Sequence, residues 1–451
     1  MIKLKTITLA VTSLIIVSSC KNEKQTNSQD MTTAKDTLNP VELVSVKNGK
    51  FYKGDQPYYF IGANYWYGPL IAAKNIGDRE RLIKELDLMK SVGIDNLRIL
   101  SGAEGDGSDS TVHPALQPEQ GKYNEDLLDG LDFLLAEMRK RNMYAILYMN
   151  NNWIWSGGMS EYLEWNGYGE VPNPFLTDKY TWDQYMAYTM QFHSCEPCKE
   201  AFYNHVRFLM GRTNAYTGLK YTEDNAIMSW QVANEPRVMV GTEYEKPFTE
   251  WLNTTVDLIE SLDSTHLIST GAEGKASYLQ DIDMYDRLHD NPNIDYLTMH
   301  MWPKNWGWYD INNEVETTQL SIENANAYMN EHLEIAKKQN KPIVMSEFGF
   351  PRGKESLSLD ANIDNRNKFY QAVCNRIAQS KLEGGYLAGL NFWGFAGYGK
   401  ANVDGDGKWQ HGDDFTADPP QEPQGLNSVF ASDTSTLEII KQTNKKLNPS
   451  K

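Results

Sequence analysis

Cysteine is scarce, with four residues in a chain of 451. Cys195 and Cys198 form a C-E-P-C segment, but no second CxxC and no His pair completes a tetrahedral zinc set, so no metal site is expected. The pair reads either as a local disulfide or as two free thiols. Cys374, among apolar helix positions, reads as core. Positive charge is also in deficit: 43 Lys and Arg stand against 60 Asp and Glu, a formal net charge of −17. Such a chain repels phosphate backbones and anionic lipid heads, which removes nucleic acid as a partner and favours a neutral substrate. No Gly-rich phosphate loop follows the first strand-like segment, so a dinucleotide is excluded and no cofactor is expected. Asp404-Gly-Asp406-Gly opens like a calcium loop, yet the downstream Glu at EF-hand spacing is missing, and a solvated loop is expected.

The apolar run at residues 7–17 is too short to span a bilayer. It follows Lys3 and Lys5 and ends in Ser18-Ser19-Cys20, the pattern of an export signal. Small residues directly before a cysteine resemble a bacterial lipobox. Residues 1–19 are therefore expected to be a lipoprotein signal peptide, Cys20 the lipidated first residue, and 20–42 a polar tether. An ordinary secretory signal with an incidental cysteine is the alternative. The expected location is outside the cell's inner membrane, at the outer membrane or cell surface, with membrane contact only through the lipid. Residues 43–451 remain for one domain, with no internal repeat or linker.

Turn signals at Asn48-Gly49 and Gly54-Asp55 predict a small N-terminal hairpin. Strand-like segments then fall at 60–66, 95–100, 144–150, 226–234, 267–271, 295–300, 342–347 and 386–393. Amphipathic stretches separate them at 79–92, 125–141, 200–212, 244–262, 322–339, 365–380 and 437–447. This alternation predicts an α/β fold, a (β/α)8 barrel with long strand-to-helix loops, with an open doubly wound sheet as the alternative. Ten of the 12 tryptophans lie at those connections: Trp66, Trp153, Trp155, Trp165, Trp182, Trp302, Trp306, Trp308, Trp393 and Trp409. On this fold the connections form the face that carries sites. Flat aromatic rings there suit the C–H faces of sugars, although others of the ten must simply pack the loops down.

Two carboxylates stand out. The fourth strand ends W-Q-V-A-N-E-P-R, with Asn234 and Glu235 at its edge and Pro236 stopping the ladder. The seventh ends P-I-V-M-S-E-F-G, with Glu347 at the equivalent edge. Carboxyls on different strands can converge across a barrel mouth, as cleavage of a glycosidic bond requires. A bare Asn-Glu-Pro is weak by itself; Arg98, His300 and Trp393 at other strand ends strengthen it. Taken singly, Arg98 could be a structural ion pair and His300 a satisfied core histidine.

From about Lys47 to Leu447 the sequence resembles glycoside hydrolase family 5, and within it the endo-β-1,4-mannanases. The resemblance is carried by G-A-N-Y-W (62–66), N-L-R-I-L (96–100), N-N-W with G-G (151–158), G-R-T-N (211–214), the N-E-P-R segment, H-M-W-P-K-N-W (300–306), S-E-F-G (346–349), L-N-F-W-G (390–394) and D-P-P-Q-E-P-Q-G (418–425). It implies Glu235 as acid/base and Glu347 as nucleophile of a retaining reaction, with Arg98 keeping Glu347 ionised. Asn234 would bind the sugar 2-hydroxyl, His300 would position the acid/base or substrate, Trp393 would floor the −1 sugar, and Arg237 would serve the leaving-group side. Trp66, Asn151 and Trp302 complete the expected substrate contacts. Two positions depart from the family pattern: Trp302 stands where many members have a Tyr that bonds the nucleophile, and Asn151-Asn152 where many have His.

The implied activity is endo-hydrolysis of β-1,4-mannan, glucomannan or galactomannan, with a β-mannan polysaccharide or oligosaccharide as partner. A β-1,4-glucanase or an exo-β-mannosidase on the same scaffold is the alternative within enzymes. A non-catalytic glycan-binding lipoprotein is the alternative from another class, though a binder has no need of two carboxyls at one bond.

Overall fold

The computed structural model describes residues 40–105, 110–175, 179–403 and 405–449. The expected signal peptide, Cys20, nearly all of the tether and Asp404 lie outside the described residues. The chain enters through a three-stranded antiparallel sheet of β1 (Val44–Lys47), β2 (Lys50–Lys53) and β3 (Gln56–Pro57). Asn48 and Gly49 take φ of 51° and 70°, the left-handed pair that a two-residue type I′ turn requires. Phe51 is buried against Phe60 and Tyr296, and Lys53 and Tyr58 both reach Asp95, at 2.6 and 2.8 Å. These partners sit at strand starts, so the small sheet plugs that end of the barrel.

Eight strands and eight helices then alternate. They are β4 (Phe60–Asn64), α1 (Arg79–Ser91), β5 (Asn96–Leu100), α2 (Glu125–Lys140), β6 (Tyr144–Tyr148), α3 (Glu196–Met210), β7 (Ile227–Gln231) and α4 (Glu245–Leu262). The second half runs β8 (Leu267–Ser269), α5 (Ile282–Leu288), β9 (Leu297–Met301), α6 (Glu314–Gln339), β10 (Ile343–Phe348), α7 (Asp364–Glu383), β11 (Leu387–Phe392) and α8 (Thr434–Leu447). The strands pair in the order β8-β7-β6-β5-β4-β11-β10-β9, all parallel. Asp295 N–H on Ile268 O (2.9 Å) and His300 N–H on Glu273 O (3.0 Å) bridge the β8/β9 seam and close the barrel. Every residue of the eight strands is buried, which is why they read as continuous apolar runs rather than alternating ones.

Three elements differ from expectation. Helix α6 starts at Glu314, well before 322, because its first turns are polar and carry no apolar stripe. Helix α5 has seven residues, too few for a periodic signal. Helix α3 starts at Glu196 with Pro197 in its first turn, where the missing N–H costs nothing. Its N-cap is Cys195, which is disulfide-bonded to Cys198 with Cα atoms 5.3 Å apart. Cys374 is a free buried thiol in α7.

Candidate active site

Strands β4, β6, β7 and β8 stop two or three residues earlier than their apolar runs suggest, and the extra residues turn into the barrel mouth. After β7, Asn234 still bridges to Asn151. Glu235 then adopts φ +50°, a left-handed conformation that costs a residue with a Cβ roughly 1 kcal/mol or more. Two backbone bonds hold it: Asn234 N–H on Asn150 O (2.7 Å) and Glu235 N–H on Gly271 O (3.0 Å). Gly271 permits the second, since a Cβ there would lie 1.8 Å from Ala233 O.

Arg98, from β5, is fully buried at the centre of the mouth. Its guanidinium donates to Gln231 Oε1 (2.7 Å), Asn64 Oδ1 (3.0 Å), Asn234 Oδ1 (2.7 Å) and Glu347 Oε1 (2.5 Å). One planar fork therefore aligns residues from β4, β7 and β10. His300, from β9, places Nδ1 at 2.7 Å from Glu235 Oε1 and 3.4 Å from Glu347 Oε2, and Nε2 at 2.9 Å from Ser346 Oγ. The Trp153 indole N–H donates to Glu235 Oε2. Arg237 pairs with Glu273, lies 3.8 Å from Glu235 Oε2, and rests over the Trp153 ring at 4.7 Å. Donor atoms of Glu235, His300 and Glu347 all fall within 4.8 Å of one another. Among the described residues this is the one trio that could hold a metal ion. Arg98 and the Trp153 N–H already occupy carboxylate oxygens there, and the guanidinium opposes a further cation.

The two carboxyls are close enough to titrate as a pair, in which the second negative charge costs far more than the first. Burial pushes Glu235 up, but the hydrogen bond and charge of His300, with Arg237 and Trp153, carry it down to about 2. Burial pushes Glu347 up to about 8 against the opposing Arg98. The charge part of the pull of His300 on Glu235 needs an imidazolium, and burial holds that ring at about 4. Above that pH the charge is gone and Arg237 is engaged by Glu273, whereas Glu347 keeps the full charge of Arg98. In the neutral range the shared proton therefore belongs on Glu235, with Glu347 as the anion.

The mouth opens into a cavity of about 640 Å³ walled by Trp153, Trp155, Trp182, Trp302, Trp306 and Trp393, with Asn234, Glu235, Arg237, Glu273 and Glu347 among its polar lining. Trp302 lines the same cavity as Glu347, and its indole works against the effect of burial on that carboxyl from the position where the family pattern has Tyr. Four of the ten loop tryptophans lie elsewhere. Trp66 is a correction: it stands behind the wall, buried with its N–H on Ala417 O (2.8 Å) and packed against Trp155. Trp165, Trp308 and Trp409 pack on Tyr162, Trp306 and Phe415. Asn151 is a second correction. It is fully buried off the cavity, and its Oδ1 accepts from Trp153 N–H (3.1 Å) and Asn234 Nδ2 (3.1 Å). Arg98 and His300 likewise reach the carboxyls rather than the open space. Asp406 is exposed and pairs with Lys408 at 3.0 Å.

Sequence reasoning missed Glu273, Ser346 and Glu422. Glu273 follows β8 in G-A-E-G, the same strand-end signal that marked Glu235 and Glu347, so it was findable. Glu422 lines the cavity from the β11–α8 loop, where burial and the charge of Asp418 push its carboxyl up to about 8. That loop is pinned by Asp418, which accepts from Gly425 N–H (2.9 Å), Asn427 N–H (2.9 Å) and Ser428 Oγ (2.6 Å).

Residues 41–451 match the family described as GH family 5 beta-mannosidase-like. Mannan endo-1,4-beta-mannosidase 1 of Arabidopsis thaliana is 29% identical over 362 residues, covering 77% of this chain and 80% of its own. A glycoside hydrolase family 5 mannosidase from Rhizomucor miehei superposes with a TM-score of 0.82 at 33% identity, over 90% of this chain and 97% of its own. A mutant of that mannosidase in complex with mannosyl-fructose superposes equally, at 32% identity over the same shares of the two chains.

Proposed function

Because the chain belongs to the β-mannosidase-like family of glycoside hydrolase family 5, and is a glycoside hydrolase, we propose that it cleaves internal β-1,4-mannosidic bonds of mannan, glucomannan or galactomannan with retention. The observation that carries this reading is the approach of the Glu235 and Glu347 oxygens to within 4.8 Å inside a tryptophan-walled cavity. Retaining enzymes hold their carboxyls ~5–5.5 Å apart, inverting ones ~6.5–9.5 Å to admit a water.

Protonated Glu235 gives its proton to the glycosidic oxygen while an oxygen of Glu347 attacks the anomeric carbon from the opposite face. The C–O bond breaks and a glycosyl-Glu347 ester forms. Glu235, now a carboxylate, takes a proton from water, whose oxygen displaces Glu347 with a second inversion. Arg98 holds Glu347 as the anion, Asn234 bonds the 2-hydroxyl, Trp393 floors the −1 ring, and Arg237 serves the leaving-group side.

A second reading has support: the chain acts on short oligosaccharides and releases single sugars. The similarity to the Rhizomucor miehei mannosidase and a cavity in the ~300–1,000 Å³ range that encloses one small ligand both favour it. Purified protein given mannan, glucomannan, cellulose and mannohexaose separates these. A spread of oligomers from mannan is the endo outcome, and mannose alone from the chain end is the other. Initial α-anomers, or faster cleavage of cellulose, would overturn the proposal. The lipid anchor at Cys20 and location at the outer membrane or cell surface belong to the same proposal, on the strength of the 7–20 segment.

A further inference from the structure

Neutral imidazole carries one N–H, and His300 has two neighbours competing for it. Nδ1 faces Glu235 Oε1 at 2.7 Å, and Nε2 faces Ser346 Oγ at 2.9 Å. The ring is fully buried and Ser346 is 1% exposed, so solvent does not reach either end. Arg98 and Arg237 both face the ring and, with burial, keep it neutral above about pH 4. The other ionisable groups around Glu235 and the ring are Glu347, Glu273 paired with Arg237, Glu422 from the β11–α8 loop, and the phenols of Tyr148 and Tyr328.

We infer that Ser346 is a positioning residue of the reaction: its hydroxyl donates to Nε2 and thereby locks the single N–H of His300 on Nδ1, facing Glu235 Oε1, throughout turnover. Once Glu235 has given up its proton, both carboxylate oxygens can only accept, so Nδ1 must carry the hydrogen. Nε2 is then bare, and Ser346 Oγ is the donor within reach. With Glu235 protonated, a reversed arrangement also closes: the acid donates to a bare Nδ1 and Nε2–H donates to Ser346 Oγ. Passing between the two within a cycle would require one ring nitrogen to lose a proton and the other to gain one. A ring sealed from water has no carrier for that exchange. One arrangement serves both states, with hydrogen on Nδ1.

The lock decides where the acidic proton of Glu235 sits. Oε1 accepts from Nδ1–H and Oε2 from the Trp153 N–H, so the acidic proton takes a lone pair that neither donor occupies and is not spent on His300, and Oε2 is the oxygen on the side of the cavity-lining Trp153 and Arg237. In the reversed arrangement the acid would point its proton at His300 and away from the leaving group.

Nitrogen-15 NMR of the full chain reads the lock directly. Between pH 5.5 and 7.5, His300 should show a protonated Nδ1 and a bare Nε2, the peaks being assigned by their loss in His300→Asn. Ser346→Ala should lower kcat on mannotetraose by about tenfold or more with KM little changed, since general acid catalysis is what weakens. Glycosylation by an activated aryl mannoside, which needs no acid, should stay near the wild-type rate. Ser346→Thr keeps the hydroxyl and should recover the mannotetraose rate. An Nε2–H tautomer in the wild type overturns the inference, whether or not the alanine variant folds, as does an equal loss on both substrates. The inference rests on Glu235 as acid/base. Failure of that assignment shows separately, as absence of azide rescue in Glu235→Ala, while the ring spectrum reports the tautomer on its own.

Discussion

Alanine at Glu235 and at Glu347 should produce two different kinds of failure. Glu235→Ala removes the acid that assists a poor leaving group, a contribution of about 10²–10⁴ in rate, or about 3–5.5 kcal/mol of barrier. It also deletes the bonds from His300 and Trp153, worth about 1 kcal/mol each, but relieves the like charge beside Glu347, so its melting temperature should move little. Glu347→Ala removes the attacking atom and leaves Arg98, 0% exposed, without its counter-charge. Breaking a buried pair in this way costs about 3–5 kcal/mol, so this variant should be inactive on every β-substrate and should melt clearly lower. The assay is turnover of mannan and of an activated aryl mannobioside, with and without azide. Glu235→Ala should cleave the aryl substrate in a burst, stall as the glycosyl-enzyme, and resume with azide to give a β-azide after two inversions. Equal collapse of both variants on the activated substrate, with no azide rescue of Glu235→Ala, would refute the assignment. An α-azide from Glu235→Ala, formed by a single inversion and without a burst, would show that the roles are exchanged.

The active pair holds one proton and faces a neutral His300, so kcat/KM should form a plateau between about pH 4 and about pH 8. Raising pH through about 8 removes the one proton that the coupled pair shares; lowering it through about 4 makes His300 cationic. A basic limb near pH 5 would contradict the pairing. Glu104 is 2% exposed with Oε1 unpartnered, and burial pushes it up to about 8. Because its folded pKa is raised, its contribution is intact below about 4.5 and is lost progressively up to about 8; at pH 7 that loss is on the order of 3 kcal/mol. Glu104→Gln should therefore match wild type in urea midpoint at pH 4 and exceed it at pH 7.5, and a pH-independent difference would refute this. Cys20→Ala should move the protein from the membrane to the soluble fraction; a wild type already soluble and free of lipid removes the anchor.

All eight barrel strands were legible because each is buried on both faces and flanked by a periodic helix, a pattern that survives without any knowledge of tertiary contacts. What failed were boundaries and short elements. The first turns of α6 carry Thr317, Thr318 and Ser321, whose hydroxyls bond back to carbonyls one turn earlier, in place of an apolar stripe, so hydrophobic periodicity cannot see them. The bond between Cys195 and Cys198 is open at the level of sequence for a similar reason. C-E-P-C is compatible with either state, and closure depends on Cys195 capping α3, which places the two Cα atoms 5.3 Å apart.

The site divides along the same physical line. Groups at strand ends are legible because the C-terminal ends of barrel strands, with the residues just past them, face the mouth, and that rule carries Glu235, Glu347, Arg98, His300 and Trp393 together. Applied without exception it also reaches Glu273 after β8, which pairs with Arg237 beside Glu235. Loop groups obey no such rule. Trp66 and Trp153 look alike in sequence, both aromatic and both just past a strand. Yet Trp66 turns its N–H back to Ala417 in the last loop, while Trp153 is carried forward by the Asn151 carboxamide until its N–H meets Glu235. The difference is made by hydrogen bonds to residues 351 and 82 positions away along the chain. Ser346 is hidden differently: a small polar residue in a buried strand is ordinarily packing, and its meaning comes only from facing Nε2 of a histidine on the neighbouring strand. Register between β9 and β10, with the irregularity that sets Glu347 opposite His300, is what brings that pair together.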